Sequence, residues 1–198
     1  MLKYTDAQVT FAEIPDEITL CINLSNCPCH CKGCHSSYLA EDIGQVLTIS
    51  RIEKLLEKHK GITAICFMGG DNDPGLVNHY AHLIKETRVE YVAKELCLGK
   101  DIDLPGKGIH LKKGDPVKIV DYVRNPIKVG WYSGRQELSD KIDLWNFDFI
   151  KLGPYNEELG PLNKRTTNQR FYEVFQFSNG RSGLIDRTFK FWKHEIED

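Results

Sequence analysis

The sequence predicts an α/β fold built on a largely parallel sheet, on three observations. Short apolar runs closed by glycine or proline alternate with segments of helical periodicity. Those runs are continuously apolar rather than alternating, which is the pattern of strands covered on both faces. The 198 residues, 41 % hydrophobic and 27 % charged, are enough for one domain that buries roughly 70 % of its unfolded surface without disulfide staples.

Each element follows in chain order. Residues 18–24 are β-branched and apolar and make a first strand. Ser50, with Glu53 three residues on, reads as the N-cap of a helix. Its apolar stripe is Ile52, Leu55 and Leu56, and it ends near Gly61. Residues 62–68 make a second strand, broken by Gly69-Gly70. A second helix starts at about Pro74 and carries Val77, Tyr80, Ala81 and Ile84 at helical spacing. Residues 127–132 and 147–152 read as two further strands. The stretch from about 90 to 125 contains the turn signal Leu104-Pro105-Gly106-Lys107-Gly108. It predicts a hairpin or irregular excursion flanked by helical pieces. Residues 170–177 and 184–192 predict an antiparallel hairpin, because Asn179-Gly180 supplies the positive φ angles of a type I′ turn.

Charge and termini exclude several classes. Lys plus Arg number 26 against 28 Asp plus Glu, a net charge of -2, so no basic footprint for nucleic acid or an anionic membrane is present. The longest apolar run, residues 62–68, is far short of the ~20 residues that span a bilayer. Residues 1–6 contain no apolar signal-peptide core, so a cytoplasmic protein is expected.

Seven cysteines are the one oddity, and four of them, Cys27, Cys29, Cys31 and Cys34, fall within eight residues. In a reducing compartment such a cluster points to metal or redox chemistry rather than disulfides. Cys21, Cys66 and Cys97 sit in apolar contexts, and the first two read as small buried hydrophobes.

Four chemistries compete for the cluster. Structural zinc usually needs two ligand pairs separated by a dozen or more residues, and His59, His79 and His82 show no paired spacing with the loop. A dithiol built on Cys31 and Cys34 leaves two thiols over. A ferredoxin needs a fourth cysteine at its own spacing. The fourth reading takes Cys27, Cys31 and Cys34 as three ligands of a [4Fe–4S] cluster whose remaining iron stays open to a substrate, with Cys29 off pattern. Downstream, Gly69-Gly70-Asp71 closes the second strand: glycines admit close backbone approach to a ligand, and the carboxylate accepts from an ammonium group. On its own that tripeptide is an ordinary turn. A calcium loop through Asp71, Asp73 and Gly75 fails, because His82 stands where a bidentate Glu is required.

The Cys-x3-Cys-x2-Cys loop directly after the first strand, followed by a Gly-Gly-acid element with Asp in place of the usual Glu, resembles the radical S-adenosylmethionine superfamily. Residues 23–42, 68–74, 131–135, 149–155, 160–163 and 166–170 further resemble the activating proteins of anaerobic ribonucleoside-triphosphate reductases. The resemblance covers most of the chain except about 88–125, which looks like an insertion. It implies a single radical S-adenosylmethionine domain, a partial (β/α) barrel with that insertion and a C-terminal hairpin. It also implies two cofactors, a [4Fe–4S] cluster on Cys27, Cys31 and Cys34 and S-adenosylmethionine. Gly33 and His35 would lie near the bound cofactor, Gly69, Gly70 and Asp71 would hold its methionine end, and Ser133 and Lys151 are weaker candidates for the same pocket. For Lys151 a solvated strand-end lysine is an equal reading. The implied activity is an activase that cleaves S-adenosylmethionine reductively and places a glycyl radical on the reductase, with a flavodoxin-like or other reductant as electron donor. The competing readings are a small-molecule radical enzyme similar to 7-carboxy-7-deazaguanine synthases and a non-catalytic zinc-binding module.

Overall fold

The computed structural model of the chain describes residues 1–86, 89–97, 101–104, 109–114, 116–124, 127–177 and 181–192. In chain order its elements are β1 (Lys3–Thr10), β2 (Thr19–Leu24), β3 (Gln45–Val46), α1 (Ile49–Lys58), β4 (Ala64–Met68) and α2 (Pro74–Glu86). Then follow β5 (Val89–Cys97), β6 (Ile102–Leu104), β7 (Ile109–Leu111), β8 (Pro116–Arg124), β9 (Lys128–Tyr132), β10 (Phe149–Leu152), β11 (Arg170–Gln176) and β12 (Ser182–Asp186). Two compact units result, one of Met1–Lys85 with Pro126–Asp198, the other of Glu86–Asn125.

The first unit is a mixed α/β structure on an eight-stranded sheet of order β12-β11-β10-β9-β4-β2-β1-β3. The four central strands β10, β9, β4 and β2 run parallel, and the flanking pairs are antiparallel. Register sets Cys21 beside Cys66, Cys66 beside Gly130, and Gly130 beside Phe149. Because side chains alternate along a strand, each strand feeds two faces. Leu20, Ile22, Ile65, Phe67, Val129, Trp131 and Ile150 point one way and pack with Ile52 and Leu56 of α1 and Val77, Tyr80, Ala81 and Ile84 of α2. Burying each such side chain is worth about 1.5–3 kcal/mol, so this layer carries most of the folding drive. Cys21, Ala64, Cys66, Tyr132, Phe149 and Phe171 face the other way, against Ile14, Leu162 and Phe191. Cys21 and Cys66 are buried hydrophobes here, as their contexts predict.

The helices are set by their caps. Asp73 accepts from Leu76 N at 3.2 Å and Pro74 occupies the first turn, so α2 starts where the proline predicts. The expected cap of α1 is corrected: Thr48, not Ser50, is extended and accepts from Arg51 N at 3.3 Å, leaving Ser50 inside the first turn. Both hydroxyls suit an N-cap, and backbone conformation chose the earlier one. β1 and β3 have no counterpart in the predicted elements. β1 (Lys-Tyr-Thr-Asp-Ala-Gln-Val-Thr) contains no apolar run and is only half buried.

The second unit contains two antiparallel pairs. β5 and β8 run together from Val89 opposite Arg124 to Cys97 opposite Pro116, and β6 pairs with β7. The pieces expected to be helical around the excursion are therefore strands, as the recurrence of Val and Tyr in both allows. The turn at 105–108 lies outside the described residues. In the first unit β11 and β12 form the C-terminal antiparallel pair, while Asn179-Gly180 also lies outside the described residues. The second strand stops early: Asp186 accepts from Thr188 N at 2.8 Å and from Thr188 Oγ1 at 2.6 Å, turning the chain into a short 3-10 helix at Thr188–Phe191. Among the described residues, no helix is long and apolar enough to cross a membrane.

Candidate functional site

The carboxyl ends of β2, β4, β9 and β10 meet at one cleft of about 400 Å³. That end of a parallel sheet is where α/β folds bind ligands, and the volume lies in the range of small-ligand sites. β2 leads into the cysteine loop, which curls because three residues adopt left-handed backbone: Asn26 (φ 60°), His30 (φ 44°) and Gly33 (φ 71°). The return segment pins it. Asn26 N donates to Glu41 O at 2.9 Å, Cys27 N to Leu39 O at 2.9 Å, and Ser25 Oγ to Ile43 O at 2.6 Å. The curl brings Cys27, Cys29, Cys31 and Cys34, all half-buried and unbridged, onto the cleft.

β4 ends in Gly69-Gly70-Asp71, with φ of 94° and 86° at the two glycines. A Cβ on Gly70 would stand 2.7 Å from both Leu24 Cδ1 and Val77 Cγ2, so glycine is required there by space as well as by backbone. Asp71 is 2 % exposed. Its carboxylate accepts from Ser133 Oγ at 2.5 Å, from Gly134 N at 2.9 Å and from the Cys29 thiol at 3.9 Å, and its carbonyl accepts from Arg135 Nη2 at 3.1 Å. A carboxylate offers about four lone-pair sites, so acceptor capacity remains. Burial, and then the charges of Asp71, Cys27 and Cys31, push the Cys29 thiol up to about 12.

β10 contributes Lys151, and the solvated reading of this residue is corrected: it is 8 % exposed. Its Nζ donates to Gly153 O at 2.8 Å and lies 6.0 Å from the Tyr132 ring centroid. Burial brings its pKa down to about 8, opposed by the nearby Asp71, Cys31, Cys29 and Glu13. Burial likewise raises Glu13, with His35 and Lys151 acting against it. Tyr132 donates its hydroxyl to the Glu13 carbonyl, and His35 packs edge-on to Tyr155 with centroids 6.2 Å apart.

Of the residues the sequence singled out, Cys27, Cys31, Cys34, His35, Gly69, Asp71, Ser133 and Lys151 line this one cleft. Gly33 and Gly70 shape the backbone beside it and do not line it. The sequence reading missed Glu13, Tyr132, Gln169 and the part played by Gly134. Glu13 sits in an irregular connection with no motif around it, so no signal marked it. Gln169 lies in the 166–170 stretch already noted, and Gly134 in 131–135. A second cleft of about 720 Å³ opens beside Asp71 along residues 135–141 and is lined by no thiol or histidine. No protein-family model, curated protein or solved structure matches this chain.

Proposed function

We propose that this protein is an activase of the radical S-adenosylmethionine type, a partial (β/α) barrel that generates a glycyl radical on an anaerobic ribonucleoside-triphosphate reductase. One observation carries the reading: the three thiols of the Cys-x3-Cys-x2-Cys loop open onto the same cleft as the Gly69-Gly70-Asp71 turn, at the carboxyl ends of parallel strands. The donor set fits a [4Fe–4S] cluster, since three half-buried thiols stand on one curled loop and supply soft ligands without a disulfide. Cys27, Cys31 and Cys34 would hold it. A cluster held there would supply one-electron chemistry, passing an electron from an external reductant to the sulfonium of S-adenosylmethionine.

The chain's own residues then bind and orient. Asp71, held by Ser133 and Gly134, presents a fixed carboxylate to the cofactor's ammonium group. Lys151 sets one buried cation in the same cleft, where a carboxylate can pair with it. Tyr132, Met68 and Leu162 give the cleft apolar surface that excludes water. The flavodoxin-like electron donor and the reductase partner come with the reading as a whole.

Anaerobic reconstitution with iron and sulfide tests it. The wild-type chain is expected to turn brown, with three to four irons per chain (roughly one cubane). Cys27→Ala, Cys31→Ala and Cys34→Ala are each expected to lose most of that iron, and Cys29→Ala to keep it. A colourless wild-type protein, or full iron loss in Cys29→Ala, overturns the assignment.

A further inference from the structure

The cluster reading leaves Cys29 without a role, yet its thiol is not idle in the fold. The Sγ atoms of Cys27 and Cys29 and a carboxylate oxygen of Asp71 all lie within 4.8 Å of one another. Cys29 Sγ itself is 3.9 Å from Asp71 Oδ2. From these positions we infer that Cys27, Cys29 and Asp71 form a site for a single divalent cation of borderline softness, in the class of Zn²⁺ or Fe²⁺, which overlaps the proposed cluster site at Cys27.

Three further features fit such a site. A tetrahedral ion with metal–sulfur bonds of about 2.3 Å and metal–oxygen bonds of about 2.0 Å needs its donors roughly 3.5–3.8 Å apart, so the present spacing closes with about 1 Å of movement. Both thiols are half-buried and lie on the curled loop, where a side-chain rotation supplies that movement. The carboxylate is already oriented from behind, by the Ser133 hydroxyl on Oδ1 and the Gly134 amide on Oδ2, which is how ligands of metal ions are held in place. Finally, residue 134 has to be glycine for Cys29 to reach the carboxylate: a Cβ there would stand 2.6 Å from Cys29 Sγ.

Binding forms two metal–thiolate bonds and one metal–carboxylate bond and releases the two thiol protons to solvent; no electron moves. Three protein ligands leave a fourth position to water. The site shares Cys27 with the proposed cluster and Asp71 with the proposed cofactor contact, so the two occupancies exclude each other. A chain loaded with the divalent ion cannot take the cluster until that ion leaves.

Cobalt(II) titration of the metal-stripped, full-length chain under anaerobic reducing conditions tests this. One Co²⁺ per chain is expected, with thiolate-to-cobalt charge-transfer absorbance and the strong visible bands of tetrahedral cobalt. Cys29→Ala and Asp71→Asn are each expected to weaken binding roughly a hundredfold, since even outer partners of a metal ligand are worth up to that much. Cys31→Ser and Cys34→Ser are expected to stay within about threefold of wild type. Cys29→Ala removes only a half-buried thiol and so serves as the decisive variant if Asp71→Asn unfolds. The inference is overturned by wild-type protein that binds no cobalt at micromolar concentration. It is equally overturned by binding that survives in Cys29→Ala, or by loss in Cys31→Ser and Cys34→Ser. Iron and sulfide loading of the same variants reports on the cluster separately, so either reading can fail alone.

Discussion

At Lys151 the cleft works against folding, and at Asp71 it works with it. A lysine whose pKa falls from 10.5 to about 8 on folding corresponds to about 3 kcal/mol of destabilisation while it stays charged. The sign follows from proton counting. Between pH 8 and 10.5 the unfolded chain holds the Lys151 proton and the folded chain does not, so this residue's contribution to stability rises with pH across that window. In the metal-free protein Lys151→Met is expected to be more stable than wild type at pH 7 by up to about 3 kcal/mol, less the lost bond to Gly153 O. The advantage should shrink toward pH 10. Urea unfolding at the two pH values measures it, and a constant difference removes the charge-burial explanation. At Asp71, substitution by alanine leaves the Ser133 hydroxyl and Gly134 amide without their acceptor, a cost of about 1–3 kcal/mol. If the carboxylate also holds the cofactor's ammonium group, Asp71→Ala weakens S-adenosylmethionine binding roughly tenfold to a hundredfold in calorimetry on cluster-loaded protein. Unchanged affinity with lowered stability makes Asp71 a turn residue. The cysteine spacing and the Gly69-Gly70-Asp71 turn were legible because they are contiguous motifs. Burial of Lys151 was not, because the residues around it come from segments as distant as Glu13, Cys29 and Asp71.

The same contrast runs through the elements. Strands β2, β4, β9 and β10 and helices α1 and α2 were readable because each carries its own apolar pattern or cap. β1 was not, since pairing with β2 rather than its own composition makes it a strand. The boundary of α1 tests how local such signals are. Thr48→Ala removes the hydroxyl that accepts from Arg51 N and is expected to cost about 1 kcal/mol. Ser50→Ala, at an exposed first-turn position, should be neutral or slightly stabilising, because alanine has the higher helix propensity. Thermal melts of the two variants separate the candidates, and a larger loss at Ser50 moves the cap back to where the sequence placed it.

At the scale of the molecule, the segment read as an insertion coincides with the second compact unit, Glu86–Asn125. It interrupts the connection from α2 to β9, which in α/β units normally takes only about 2–6 residues. The two ends of that connection already meet through side chains in the first unit. Lys85 Nζ donates to Asp148 Oδ1 at 3.1 Å, and Asp148 Oδ2 accepts from Val129 N at 2.8 Å. A short linker can therefore replace residues 89–125, and loop-closure entropy changes by little more than about 1 kcal/mol for such a change in length. The two antiparallel pairs of the unit supply one another's backbone hydrogen bonds. A Gly-Ser linker variant is accordingly expected to unfold cooperatively and, if the proposed function holds, to load a cluster and to cleave S-adenosylmethionine with a strong artificial reductant. On the proposed activase reading a radical has to reach one glycine of a much larger protein, and a second compact unit is suited to docking that partner. On that reading the linker variant yields much less glycyl radical on the reductase, measured by electron paramagnetic resonance, although its own cofactor cleavage is intact. Normal radical yield removes the docking role, and loss of the cluster or aggregation shows instead that the segment belongs to the core of the first unit.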